Sequence, residues 1–245
     1  MSESFTAIIC TGEPGGPQSI QNWHLARALA ARGHRIDLVC DGRRDDLVGM
    51  CDGLRVATWP SRVPGRLTDY RFFHRLVRRR QPDAVIGNFQ SVNVALPIAA
   101  ALGVPTRIAW HRSLSAQTPL DYPRPRAVQW IQDRLKAFVL AQATHVVAVS
   151  PAGQRDAIAA YGVPAARCQT VFHTCRPDPL RLLAATPLPD PEWRRIAYLG
   201  RVAPSKGIDV LLLALRRLRD REPWWPLALD IVGDGAARPA LAALA

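Results

Sequence analysis

Short apolar segments alternate with segments of helical periodicity along most of this chain. In the first 150 residues the apolar segments are FTAIIC, HRIDLVC, DAVIGNF, TRIAWH and THVVAVS, and helix-like sequence such as IQNWHLARALAARG lies between them. Strands that are apolar on both faces belong to parallel sheets that helices cover on both sides. The alternation therefore predicts an α/β fold with a doubly wound, Rossmann-like parallel sheet.

A proline-rich stretch interrupts this pattern. The segment RPDPLRLLAATPLPDPEW disfavours regular structure and suits a connector between domains. We therefore expect a first domain over residues 1–178, a linker over 179–194, and a second domain over 195–245.

A second series of strands and helices follows the linker. Because two strand-helix units leave sheet edges unpaired and one helical layer incomplete, we expect this second Rossmann-like domain to be truncated. The predicted elements are strands at 195–200 and 227–232, a helix at 207–219, and a helix from 236 that is still running at Ala245.

Composition narrows the class and the location of the protein. Hydrophobic residues make up 48% of the chain and charged residues 21%, which is typical of a globular protein. No apolar run approaches the roughly 20 residues that span a bilayer, and MSESFTAIIC lacks the basic start of a signal peptide. We expect a cytoplasmic protein that is soluble or peripheral. The cysteines form no CxxC pair, so we expect reduced thiols and no metal site.

The formal net charge of +12 predicts an anionic partner. In LTDYRFFHRLVRRR, a helix would place arginines on one side and apolar residues on the other. Such a helix suits the anionic inner face of a membrane; an arginine face in solvent above a core stripe is the alternative, with equal weight. Nucleic acid fits less well, because no stacking motif accompanies the charge. The membrane-facing candidates are Arg71, Arg75, Arg78 and Arg79.

Glycine-containing loops follow several of the predicted strands, where doubly wound sheets bind ligands. In TGEPGGPQS, glycines would let the backbone approach an anion beside the next helix, although an ordinary turn is equally compatible. In GRVAPSKG, Arg201 and Lys206 flank a turn that precedes a helix, which suits a diphosphate better than a solvated basic loop. In IVGDG, Asp234 would bind a sugar or base, or would cap the following helix, the favoured role.

His111 ends the predicted strand TRIAWH. At the carboxyl end of a parallel strand its ring could donate a hydrogen bond to a ligand, although a lone histidine at a strand end is often only a surface residue. The other histidines show no pairing at metal-ligand spacing.

These motifs together resemble the GT-B fold retaining glycosyltransferases of the fourth sequence family, known as glycosyl transferases group 1. The resemblance covers nearly the whole chain, including GGPQSIQNWHLARALAARGHRIDLV and PDAVIGNFQSVNVALPIAAALGVPTRIAWHRS. Its most specific part is YLGRVAPSKGIDVLLLAL followed by LDIVGDGAARPALAALA. The resemblance implies two Rossmann-like domains and transfer of a sugar from a nucleotide-sugar, with retention of configuration, to a glycan or lipid-linked acceptor.

The resemblance also implies roles for particular residues. Arg201 and Lys206 match the clamp on the nucleotide diphosphate, which makes a metal unnecessary, and no cofactor besides the nucleotide-sugar co-substrate is expected. His111 matches the histidine that contacts the transferred sugar and is the catalytic candidate. The remaining donor-binding candidates are Gly15 and Gly16 in the first loop, and Gly233, Asp234 and Gly235 beside the nucleotide.

Two departures from the family pattern affect these expectations. The family's asparagine-glycine turn after the last strand of the first domain is replaced by His173, Thr174 and Cys175. The glutamate pair that grips the donor sugar and ribose in the family would lie beyond Ala245, so we expect weak donor binding and little or no turnover. A GT-B nucleotide-sugar epimerase and a non-catalytic fragment that binds a membrane or a partner are the alternatives.

Overall fold

A computed structural model of the chain describes residues 4–12, 17–41, 53–173, 194–224 and 227–244. They fall into two compact units. The first unit comprises the described residues of Met1–Ser115 and Pro125–Thr174, and the second comprises those of Ala116–Arg124 and Cys175–Ala245.

Strands and helices alternate along the described residues. The strands are β1 (Thr6–Cys10), β2 (Arg35–Cys40), β3 (Leu54–Thr58), β4 (Ala84–Gly87), β5 (Thr106–His111), β6 (His145–Ala148), β7 (Cys168–Thr170), β8 (Arg194–Leu199) and β9 (Leu227–Val232). The helices are α1 (Pro17–Ala30), α2 (Leu67–Arg80), α3 (Val92–Ala101), α4 (Gln117–Asp121), α5 (Arg126–Ala141), α6 (Pro151–Tyr161), α7 (Ile208–Arg221) and α8 (Arg238–Ala242).

The described part of the first unit is built on a seven-stranded, wholly parallel sheet in the order β3-β2-β1-β4-β5-β6-β7. Chain direction across the sheet reverses between β1 and β4, because the chain runs outward from β1 to β3 and then returns to β4. In doubly wound sheets the carboxyl ends of the strands beside such a reversal form the ligand crevice. The loops after β1, β4 and β5 lie at that edge.

Helices cover both faces of this sheet, as the apolar strands require. Alternate residues of β1 point to opposite sides: Ile8 packs with Phe73 and Val77 of α2, and Ile9 packs in the cluster that contains Ala26 of α1. All five of these side chains are buried. Burial on both faces explains why β1 and β4 carry almost no polar residues.

The second unit contains a parallel pair formed by β8 and β9. A short 3₁₀ turn at Pro204–Lys206 leads from β8 into α7, and α4 belongs to the same unit. Val202, Ile208 and Leu241 form its small buried cluster. Because Val202 belongs to the loop that joins β8 to α7, its burial in this cluster anchors the loop.

The predicted α/β fold with a parallel sheet is confirmed, and the structure corrects several details. The short strands β3 and β7 and the helices α4 and α6 were not predicted. The helix expected from residue 236 to the end is α8, which stops at Ala242, and the helix expected at 207–219 is α7. The expected linker lies outside the described residues, apart from Arg194, which belongs to β8.

Candidate functional site

The loop after β8 turns sharply before α7 begins. Gly207 has a φ of 64°, a left-handed conformation that favours glycine, and this residue closes the Pro204–Lys206 turn and starts the helix. Lys206 is exposed beside the first turn of α7, and the side chain of Arg201 is 43% exposed. The two predicted cations therefore flank a helix N-terminus, where backbone N–H groups and the helix dipole favour anions.

An internal carboxylate is already bound in this loop. The side chain of Asp121 accepts hydrogen bonds from the Arg201 guanidinium and from the backbone N–H of Ser205, the latter at 3.0 Å. Tyr122 supports the pair, because Arg201 also donates to its hydroxyl at 2.9 Å. The side chain of Asp121 is only 3% exposed. Hydrogen bonding from Ser205 together with the charge of Arg201 lowers the pKa of Asp121 despite burial.

Asp121 was not singled out in the sequence. It lies at the end of α4, 80 positions before Arg201, so no local motif joins the two residues. One signal was available: Asp121 is the only acidic residue between Asp83 and Asp133. In a chain with so many basic residues, an isolated carboxylate is expected to pair with an arginine.

The glycines of IVGDG allow one backbone to lie directly against another. A Cβ on Gly233 would lie 1.9 Å from the carbonyl oxygen of Gly200, and one on Gly235 would lie 2.1 Å from that of Val202. Neither position has room for a side chain. The exposed Asp234 carboxylate accepts the N–H of Gly235 at 2.8 Å and lies 3.7 Å from Arg238. It does not occupy the N-cap of α8, which is Ala237.

His111 ends β5 and is buried, with 3% of its surface exposed. Its Nε2 lies 2.9 Å from Asp156 Oδ2, so the ring donates to the carboxylate from Nε2. Burial, reinforced by the nearby charge of Lys136, lowers the pKa of His111, so the ring is neutral near pH 7. The edge of the ring packs against Tyr161, with centroids 5.7 Å apart. These contacts fix the ring in one orientation and one tautomer.

Asp156 is in turn held by Ser115. The carboxylate accepts the backbone N–H of Ser115 at 3.0 Å and its hydroxyl at 2.6 Å. Burial opposes ionisation of Asp156, but the hydrogen bonds from Ser115 and His111 outweigh it and lower the pKa of Asp156. Asp156 therefore stays ionised and keeps its hold on the His111 ring.

The remaining predicted site residues are the glycines of the first loop and the arginines of α2. Gly15 and Gly16 lie outside the described residues. Of the five arginines of α2, the four candidates Arg71, Arg75, Arg78 and Arg79 are exposed and form what we call the α2 arginine face, whereas the apolar side of α2 lies in the core. In the part of the chain that the structure describes, no helix has the length and apolar character to cross a membrane. Those same residues contain no cluster of metal-ligating side chains.

The chain matches the family model described as "Glycosyl transferase 4-like domain" over residues 16–172, more than half of its length. A relative from Jonesia denitrificans, named D-inositol 3-phosphate glycosyltransferase, is 30% identical over 94% of this chain. The chain spans 60% of that relative's length.

Solved structures share the fold. Sucrose-phosphate synthase from Thermosynechococcus elongatus superposes with a TM-score of 0.65 at 18% identity, covering 98% of this chain and 67% of its own. The Anabaena protein HepE in complex with UDP-glucose superposes with a TM-score of 0.54 at 14% identity, covering 98% and 72%. The seven-stranded parallel sheet accordingly matches GT-B glycosyltransferase structures. Together with the family match, this shows that the chain belongs to the glycosyltransferase 4-like family.

Proposed function

We propose that this chain belongs to an enzyme that transfers a sugar from a nucleotide-sugar to an acceptor, with retention of anomeric configuration and without a metal. In this proposal the loop between β8 and α7 holds the donor diphosphate. Family membership supports a transferase, and the Anabaena protein of the same fold was solved with UDP-glucose. The acceptor would be a glycan or a lipid-linked molecule, as in the synthesis of cell-surface glycans.

The observation that carries the proposal is the binding of Asp121. Two donors of different kinds, the Ser205 backbone N–H and the Arg201 guanidinium, converge on the two oxygens of one carboxylate. A phosphate group presents the same kind of acceptor, with oxygens at similar spacing and a negative charge. The loop is therefore already shaped to hold an oxyanion.

The proposed chemistry follows from the charge of this loop. When the bond between the sugar and the diphosphate breaks, negative charge accumulates on the departing nucleoside diphosphate. Arg201, Lys206 and the N-terminus of α7 would stabilise that charge where it develops, which lowers the barrier without a metal ion. Gly233 and Gly235 would contribute by packing the neighbouring loop tightly behind the site.

We assign His111 to the transferred sugar, with Asp156 as its positioning residue. Because Asp156 holds Nε2 as a donor, the neutral ring has its unprotonated nitrogen at Nδ1. A contact with the sugar would therefore be made by Nδ1 as an acceptor, or by Nε2 if Asp156 were displaced.

Titration calorimetry with UDP, ADP and GDP tests the diphosphate loop. We expect at least one of them to bind, and the double variant Arg201→Gln with Lys206→Gln to bind about 10- to 100-fold more weakly, since each removes a charge-assisted hydrogen bond. The double variant Arg216→Gln with Arg217→Gln, at two exposed residues of α7, removes the same net charge and is the control. Unchanged binding by a folded double variant would contradict the proposal. Sugar transfer, followed by NMR of the product's anomeric configuration, would then test retention.

We also propose peripheral contact between the α2 arginine face and the anionic inner surface of a membrane. The support is charge and exposure: all four arginines are exposed on one helix. Because the apolar side of α2 is in the core, the attraction would be electrostatic and would weaken as salt is added.

A further inference from the structure

Arg112 follows β5 at the carboxyl edge of the sheet, next to the chain reversal. Its guanidinium lies 4.4 Å from the centroid of the Trp110 ring and 5.5 Å from that of Phe89. Aromatic faces attract a guanidinium and restrict its orientation. Phe89 itself has a φ of 49°, a left-handed conformation that non-glycine residues seldom adopt and that tends to occur at functional sites.

Asn88 fixes the guanidinium from a second side. Its Oδ1 accepts from Nε of Arg112 at 3.1 Å and from Nη2 at 3.0 Å. Asn88 is itself buried, and its side-chain amide donates to the carbonyl of Cys10 at 2.9 Å. The position of Arg112 is therefore determined by the ends of β1 and β4 as well as by β5.

The charge of Arg112 is not neutralised by these contacts. Within the described ranges Arg112 has no ion pair with a carboxylate; its oxygen partners are the amides of Asn88 and Gln21. Burial lowers the pKa of Arg112 to about 10, which still leaves it charged at neutral pH. A half-buried charge whose described partners are all neutral is costly, so the site favours an anion.

His173 lies on the open side of the guanidinium. Its Nδ1 donates to Gln21 Oε1 at 2.6 Å, and its Nε2 accepts from Nη1 of Arg112 at 3.2 Å. Burial and the charge of Arg112 lower the pKa of His173, so the imidazole is neutral and is a weak partner for a cation. An oxyanion would be a much stronger partner for the same N–H groups.

The N–H groups of Arg112 that do not bind Asn88 match an anion with two oxygens. Nε–H and one Nη2–H donate to Asn88, whereas Nη1 donates to two neutral partners, His173 and Gln21, which an anion at the Nη1–Nη2 edge would replace. That edge is the fork that binds phosphate or carboxylate through two parallel hydrogen bonds. His173 contributes an imidazole beside it, which can reorient to donate to a further oxygen.

We propose that Arg112, with His173 beside it, binds a phosphate monoester carried by the acceptor. The inference rests on the proposed function only in calling the ligand an acceptor. The residues of the phosphate site belong to the first unit, whereas the diphosphate loop belongs to the second. A phosphorylated sugar or polyol and a lipid phosphate offer the same group. The signal was present in the sequence as the arginine that follows TRIAWH, but its partners come from distant segments.

Titration calorimetry without any donor tests this site, with glucose 6-phosphate, glucose and inorganic phosphate as probes. We expect wild type to bind glucose 6-phosphate at least tenfold more tightly than glucose. Arg112→Gln should lose about 10- to 100-fold in affinity for the phosphorylated probe. Arg112→Lys should fall between the two, since it keeps the charge and loses the fork. Arg32→Gln, in the exposed turn before β2 at the opposite edge of the sheet, is the matched control and should bind as wild type does.

Vesicles containing phosphatidic acid provide the second arm. Sedimentation that depends on Arg112 and not on Arg32, without binding of glucose 6-phosphate, would assign the phosphate to a lipid. The proposal is overturned if wild type shows no preference for phosphorylated over unphosphorylated probes in either arm. It is also overturned if folded Arg112→Gln binds as wild type does, or if Arg32→Gln loses as much. Binding of UDP by Arg112→Gln reports separately on the diphosphate loop, so failure of one site does not mimic failure of the other.

Discussion

Asp121 occupies the position that we assign to a donor phosphate, and replacing it should strengthen nucleotide binding. The variant Asp121→Asn keeps an oxygen for the N–H of Ser205 and removes the charge that pairs with Arg201. A nucleoside diphosphate must displace the wild-type carboxylate before it can bind, whereas the amide competes weakly. Apparent affinity falls in proportion to the fraction of molecules whose site is open.

The size of the effect follows from the contacts that are lost. Arg201 is 43% exposed, so its ion pair is strongly screened by solvent and contributes modestly. The hydrogen bond from Ser205 is retained in part by the amide. If these contacts keep the site closed in roughly 80 to 95% of molecules, Asp121→Asn should bind UDP about 5- to 20-fold more tightly.

Titration calorimetry at low salt measures this change, with Glu222→Gln as the control. Glu222 follows α7 at its opposite end, so this variant makes the same change in net charge away from the loop. Equal strengthening in both variants would mean that long-range charge causes the effect. Weaker UDP binding by a folded Asp121→Asn would show that the carboxylate orients Arg201 for the ligand, which would refute the competition argument.

Three further outcomes are expected. Gly233→Ala should destabilise the second unit by several kcal/mol, since its Cβ meets backbone 1.9 Å away, whereas Gly103→Ala, with a φ of +70° and open space, should cost about 1 kcal/mol in thermal melts. Asp69 accepts hydrogen bonds from the backbone N–H groups of Ser61, Gly65 and Arg66, which lower its pKa despite burial. Its contribution to the free energy of unfolding is complete above pH about 4 and is lost as the pH falls through the lowered pKa. Asp69→Asn should therefore make the denaturation midpoint less dependent on pH between pH 6 and 3. The fraction of protein that sediments with anionic liposomes should decrease when three arginines of the α2 arginine face become glutamate. An unchanged fraction would exclude that face as the membrane contact.

The strands that could be predicted from sequence differ physically from those that could not. β1, β2, β4, β5 and β6 have a neighbouring strand on each side, and a mainly apolar run marks each of them. The missed strands β3 and β7 are the two edges of the described sheet, where one side has no partner strand among the described residues. Gln169 and Thr170 in β7 are polar for this reason, and its three residues are too few to show a period.

The site residues that could be predicted have partners nearby in the sequence, whereas those that were missed have distant partners. Arg201 and Lys206 lie within one short motif, so a loop beside a helix could be inferred from their spacing. Asp121 reaches that loop from a distant helix, and Arg112 is held by residues that follow other strands. Such partners are brought together only by the tertiary structure, which the strand pattern alone does not specify.

Backbone packing explains why the two glycine motifs of the second unit, GRVAPSKG and IVGDG, occur together. Gly200 N–H donates to the Val232 carbonyl, Val202 N–H to that of Asp234, and Ala237 N–H to that of Val202, so the two loops form one hydrogen-bonded layer. The approach is so close that no side chain fits at Gly233. A change in either loop would therefore shift the other, including Arg201 between Gly200 and Val202. The glycines of IVGDG, which the resemblance places beside the nucleotide, thus allow the two loops to pack closely. This packing determines the position of Arg201 relative to a bound anion.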